Sequence, residues 1–261
     1  MLLLEIFFLA VVQGIGEFLP ISSSGHVVVG AALCDQWGHP IHEKLALNVV
    51  LHLGTLLSVL VFFSKRWLKV VLEEPRVVLL GIWATIPAVV VGLGLKYWAK
   101  DVLESPLLAG FAFLITGLGL LWTKKLPPGR LECRQLGYRQ ALWIGFAQAL
   151  AVLPGISRSG ATIVAGLAGG LQRAEAAAFS FLLAIPVIAG AGLLEAVEML
   201  RENSNSLPLN YLGFGMAVSF LVGLAALAWL VRWLEQGRLH WFAYWLFALG
   251  PVVILWQMFL H

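Results

Sequence analysis

The stretch Gln13-Gly-Ile-Gly-Glu-Phe-Leu-Pro-Ile-Ser-Ser-Ser-Gly-His26 returns, altered, as Gln148-Ala-Leu-Ala-Val-Leu-Pro-Gly-Ile-Ser-Arg-Ser-Gly-Ala161. Aligned without gaps, the copies match at Gln13/Gln148, Ile21/Ile156, Ser22/Ser157, Ser24/Ser159 and Gly25/Gly160. Glu17 stands against Val152, Ser23 against Arg158 and His26 against Ala161. Both copies are polar and broken by Gly and Pro, yet both lie in sequence apolar enough for hydrocarbon. Paired breaks in corresponding halves of a membrane chain point to a binding site near the bilayer midplane. The chain therefore reads as a duplication whose halves have specialised.

Composition supports that setting. Of 261 residues, 60% are hydrophobic and 12% charged, with mean hydropathy +0.90, whereas a soluble domain carries about 25% charged residues. A membrane-crossing helix needs about 20 apolar residues, and such runs lie near 46–63, 77–95, 106–122, 176–199, 209–231 and 241–260. Two further apolar stretches, 1–33 and 139–171, hold the broken motifs at their middles, where Pro and Gly interrupt a straight helix. The expected fold is an all-α polytopic membrane protein, with six transmembrane helices plus two re-entrant helix pairs in an inverted repeat. A single membrane domain covers 1–261, with repeat 1 at 1–122, a basic cytoplasmic linker at 123–138 and repeat 2 at 139–261.

If each re-entrant pair returns to the face it entered, twelve of the seventeen Lys and Arg residues share one face. Lys44, Lys96, Lys100 and Arg201 fall on the other, and Arg158 sits inside a motif. The positive-inside rule makes the basic face cytoplasmic and both termini external. The net charge of +3 then reflects loop placement, and no nucleic-acid partner is expected. Cys34 and Cys133 fall on opposite faces, which excludes a disulfide between them.

Irregular backbone survives at membrane depth only where protein or a watery cavity shelters it, so the two breaks must meet. Each leads into a fresh helix, Gly25 into 27–33 and Gly160 into 162–171. Two helix N-termini converging on one cavity make an anion site, and Arg158 adds a forked donor suited to phosphate. An ionisable residue inside a membrane segment is a functional candidate by default, which singles out Arg158 and Glu17. Gln13, one turn before Glu17, either orients its carboxylate or shares a metal with it. Ser22, Ser24, Ser157 and Ser159, with Gly25, Gly160 and Thr162, either cap the helices or bind phosphate. Ser23 and His26, at helical spacing, share a face and come within reach of one another. His52 either faces the cavity or packs. Carriers also use inverted repeats around a midplane site, so the alternative function is a transporter or flippase of an anionic lipid.

The two motifs closely resemble those of the undecaprenyl-diphosphate phosphatase family, the bacterial bacitracin-resistance proteins. The likeness runs from about residue 5 to the C-terminus and includes Phe179 to Pro186 and the region of Ile86 and Pro87. It implies hydrolysis of a polyprenyl diphosphate lipid, undecaprenyl diphosphate, to the monophosphate and inorganic phosphate, recycling the carrier of cell-wall synthesis. The site would open to the outer, periplasmic face of the bacterial cytoplasmic (inner) membrane. The resemblance also implies Gln13 and Glu17 as the glutamate pair, Ser23 and His26 as the reactive serine and histidine, Arg158 as the essential arginine, and a divalent cation, Mg²⁺ or Ca²⁺. Relatives often carry Glu at the place of Gln13, and many carry Gln at that of His52. A homo-oligomer stays open.

Overall fold

The computed structural model describes residues 2–36, 45–202 and 208–259; Lys44, counted above on the outer face, lies outside them. The first motif separates α1 (Leu2–Gly16) from α2 (Ser23–Gln36). There follow α3 (Leu45–Phe62), α4 (Ser64–Glu73), α5 (Pro75–Trp98), α6 (Lys100–Leu103) and α7 (Pro106–Trp122), then a linker with two short 3₁₀ turns. The second motif separates α8 (Tyr138–Leu150) from α9 (Arg158–Ala168), and α10 (Arg173–Glu202), α11 (Leu209–Glu235) and α12 (Trp241–Phe259) complete the chain. Every long apolar run is a helix, as hydrocarbon requires of a backbone that must satisfy its own amides. The protein is an all-α, multi-pass membrane protein.

Among the described residues five helices, α5, α7, α10, α11 and α12, are each long and apolar enough to cross a bilayer. The run near 46–63 qualifies only when α3 is joined to α4 across a bend of 70°. Beyond the bend, residues 64–73 form a helix of their own rather than a loop between spans. Trp67, Leu68, Val71 and Leu72 recur at helical spacing, with Lys65 and Lys69 one turn apart on the other side, so the segment folds as an amphipathic helix. Leu68 and Leu72 remain 64% and 70% exposed, as expected of a helix lying in the membrane interface.

Helices pack where side chains are small, because apolar lipid gives no hydrophobic incentive for association and close approach must supply it. α7 lies along α12 and α3 along α11. A Cβ on Gly250 would stand 3.0 Å from Gly110 O, and Ser58 Oγ donates to Phe220 O at 2.8 Å. α1 packs on α11, whereas α8 packs on α5. The outer surface stays apolar: Leu118 and Leu221 are 60% and 62% exposed.

The basic connections gather at one end. Arg66 Nη2 donates to Glu175 Oε2 at 2.8 Å, and the Cys133 amide donates to the same oxygen at 2.8 Å. Arg76 donates to Leu136 O at 2.9 Å, and Arg173 to Glu235 O at 3.0 Å. Cys34 and Cys133 are both free. Burial pushes the Cys133 thiol up, and the neighbouring Glu175 carboxylate adds to the shift. A raised value keeps the protonated form as pH rises, and only the thiolate is nucleophilic. At about pH 8.5, where an ordinary thiol is half ionised, Cys133 should resist maleimide in the folded protein and react only after denaturation, as read by mass spectrometry.

Candidate active site

α1 ends where Gly16, Glu17 and Pro20 break it, and α8 ends at the matching Ala151 to Pro154 turn. Ser22 then adopts φ 68°, the left-handed region that non-glycine residues rarely enter. Its Oγ accepts from the Gly25 amide at 3.4 Å. Ser157 caps α9 in the same way, accepting from the Gly160 amide at 3.1 Å. These caps start the helices at Ser23 and Arg158, earlier than the expected starts beyond Gly25 and Gly160. One divergent position, Ser23 against Arg158, is therefore the first residue of each new helix.

The two tips touch. Ser22 Oγ also accepts from the Gly155 amide at 3.1 Å, and a Cβ on Gly25 would lie 2.7 Å from Gly155 Cα. Gly155, at φ 92°, supplies the turn that no side chain would permit there. Thr116 of α7 anchors the second tip, donating to Gly155 O at 2.9 Å and accepting from the Ser157 amide at 3.2 Å.

Beside this contact lies a cavity of about 670 Å³, walled by the tips and by residues 88–96 of α5 and 186–194 of α10. Glu17, Ser23, Ser24, His52, Gln148 and Arg158 all face it. Arg158 Nη2 forms an ion pair with Glu17 Oε1, although 141 residues separate them. Glu17 Oε2 accepts from Gln13 Nε2 at 3.3 Å, so Gln13 sits behind the carboxylate. Arg158 Nη1 is buried and has no partner among the described residues. His52 Nδ1 lies 3.0 Å from Asn48 O.

Other expected site residues stand elsewhere. Ser22 and Ser157 reach the wall while also capping. Gly25 is spent on the tip contact, and Ser159, Gly160 and Thr162 are buried behind Arg158. Ser159 Oγ lies 3.2 Å from Ser157 Oγ, and Thr162 Oγ1 lies 2.8 Å from Arg158 O and 2.6 Å from Ser180 Oγ. His26, expected on one face with Ser23, is not among the residues on the cavity wall. Its ring is directed to Phe113, 5.0 Å between centroids, and stacks on Trp245 at 6.2 Å. Trp245 Nε1 is only a donor, so His26 Nε2, at 3.0 Å, must accept. Nδ1 then carries the proton and donates to Ser22 O at 2.8 Å. Both imidazole nitrogens are thus occupied in holding the tip to α12.

Sequence reasoning missed Thr116, which lies mid-helix with no motif around it. It also passed over Gln148, although the alignment with Gln13 marked it. For a metal, the donor set is sparse: Glu17 is the one carboxylate on the wall, and no group of three His, Cys, Asp or Glu residues is placed to hold an ion among the described residues. A standing cage does not fit these side chains. A hard cation fits only by sharing oxygens with a phosphate ligand.

The family model described as bacitracin resistance protein BacA matches residues 6–252. The chain belongs to the BacA family. Among its relatives, the undecaprenyl-diphosphatase of Rhodopirellula baltica is 45% identical over 254 residues, 97% of each chain. Undecaprenyl-diphosphatase 3 of Bacillus cereus is 38% identical over 258 residues, again 97% of each. The undecaprenyl-diphosphatase of Pelotomaculum thermopropionicum is 36% identical over 255 residues, 95% of this chain and 94% of that one.

In this BacA family member the tip contact has no room for a methyl group. Gly25→Ala should cost about 1–3 kcal/mol and lower the thermal midpoint in detergent. Gly30→Ala on the same helix, where a Cβ meets nothing within 4 Å, should leave the midpoint unchanged or raise it.

Proposed function

We propose that this chain is an integral-membrane phosphatase that hydrolyses undecaprenyl diphosphate to undecaprenyl phosphate and inorganic phosphate. Relatives of that name, matched over nearly their full length, support the reaction. The observation that carries it to a site is the Glu17–Arg158 pair at the wall of a cavity between two helix starts.

The substrate brings several negative charges into a largely apolar hollow, so electrostatic stabilisation dominates. Arg158 Nη1 is a buried donor in search of an acceptor, and the first-turn amides of Ser23 and Arg158 have no intrahelical acceptor. Together they hold phosphoryl oxygens. Ser23, on the wall beside Gly16 and Glu17, either attacks the terminal phosphorus, breaking the P–O–P bridge to release undecaprenyl phosphate and leaving a phosphoserine that water hydrolyses, or positions the water that breaks the same bridge directly, with Glu17 taking the proton of the attacking group. His26 acts through the tip that it fixes. Glu17, oriented by Gln13, would hold a divalent cation, Mg²⁺ or Ca²⁺, only together with phosphate oxygens, and such an ion would supply neutralisation of the phosphate charge. The polyprenyl tail lies against the apolar walls of α5 and α10, since each methylene kept from water is worth about 0.8 kcal/mol.

The same reading includes six transmembrane helices with two re-entrant pairs. Its support is the exchange of neighbours: α1 rests on α11 and α8 on α5, as a two-fold relation between residues 1–122 and 139–261 demands. With the basic end cytoplasmic, the stretches of α5 and α10 that wall the cavity fall in their outer halves, so the site opens to the periplasmic face of the inner membrane.

Purified protein in detergent should release inorganic phosphate from farnesyl or undecaprenyl diphosphate. Arg158→Ala and Glu17→Ala should each lower the rate by about 10²–10³. A pure lipid carrier would release none, and wild-type rates in both variants would remove this site from the reaction.

A further inference from the structure

Gln148, on the last turn of α8, is 1% exposed, yet it lines the cavity with Glu17 and Arg158. Neither its Nε2 nor its Oε1 has a hydrogen-bond partner among the described residues. In the first motif the matching amide, Gln13, donates to Glu17 four residues on. In the second motif the residue four on is Val152, which offers nothing. A buried primary amide with all its hydrogen-bonding capacity unused is a cost the fold alone gives no reason to carry. Arg158 Nη1, on the wall of the same cavity, is orphaned as well.

We infer that Gln148 is a substrate-contacting residue of this site: its Nε2–H donates to a phosphoryl oxygen alongside Arg158 Nη1, and its Oε1 accepts from a water on the substrate. A phosphate group supplies what both orphans need, because its oxygens accept from the amide and the guanidinium together. The ligand is therefore of the phosphoryl or diphosphate class, and the inference rests on the phosphatase reading above. The division of labour follows the two motifs. Gln13 serves the protein's own carboxylate, while its counterpart is left for the ligand.

The test uses full-length protein in detergent, with phosphate release from farnesyl diphosphate and thermal unfolding measured on the same samples. Gln148→Leu should lower kcat/KM by about ten- to a hundredfold, the range for a lost hydrogen bond to a charged group. Its thermal midpoint should hold or rise, because the replacement removes an unpaired buried amide. Inorganic diphosphate should raise the midpoint of the wild type more than that of Gln148→Leu. Gln148→Glu should lose activity through a raised KM, since a second carboxylate would repel the phosphates. Wild-type kcat/KM in Gln148→Leu, or a fall in activity matched by a lowered midpoint with the diphosphate shift retained, overturns the inference in favour of a packing role. Should Gln148→Leu not fold, Gln148→Asn keeps the amide but withdraws it by one methylene. Lost activity at an unchanged midpoint supports the inference, and full activity overturns it. If the wild type releases no phosphate, the phosphatase reading fails, and the diphosphate-induced shift alone then decides for or against Gln148 as a phosphate ligand.

Discussion

The structure depends on a backbone problem. Two segments leave helical geometry inside a bundle of apolar helices, and each amide left bare in such an interior costs several kcal/mol. The solution is mutual: Ser22 Oγ takes the Gly155 amide as well as that of Gly25, and glycine at both places lets main chain meet main chain. Ser22 holds a left-handed conformation to do so, a strain of about 1–3 kcal/mol that surrounding contacts must offset. Thr116 and the His26–Trp245 pair clamp the tips to α7 and α12 from the sides. Everything chemical sits on this junction.

Because the tips meet, their opposite charges meet. Glu17 belongs to one motif and Arg158 to the other, and each would be an uncompensated ion in a low-dielectric interior without its partner. Burying such a pair is a weak source of stability, since desolvation offsets the attraction. Its value lies in readiness: one arm of the guanidinium neutralises Glu17 while the other stays available. The pair itself is thus close to neutral, and Lys96 on the same wall leaves the lining with an excess of positive charge.

Much of this was legible in the residues. Apolar runs of bilayer length became helices because hydrocarbon leaves few alternatives, and Pro and Gly within the motifs placed the breaks. The intramembrane positions of Glu17 and Arg158 were too costly to be incidental. What stayed hidden turned on direction and company. His26 follows Ser23 at helical spacing, but its ring packs on Phe113 and Trp245, distant in sequence, and is not on the cavity wall. Serines read equally well as caps or ligands; only coordinates show Ser22 and Ser157 capping while Ser159 is buried behind them. Gln148 looked like an echo of Gln13, and the absence of a partner becomes visible only once the neighbours are in place.

The hydrogen bond from Gly155 to Ser22 also spans 133 residues of chain. On the ribosome, at about 5–20 residues per second, roughly 7 to 27 seconds pass between synthesis of its two ends. For that interval Ser22 has no Gly155 amide to accept from. The junction therefore forms only once residues far along the chain have been made.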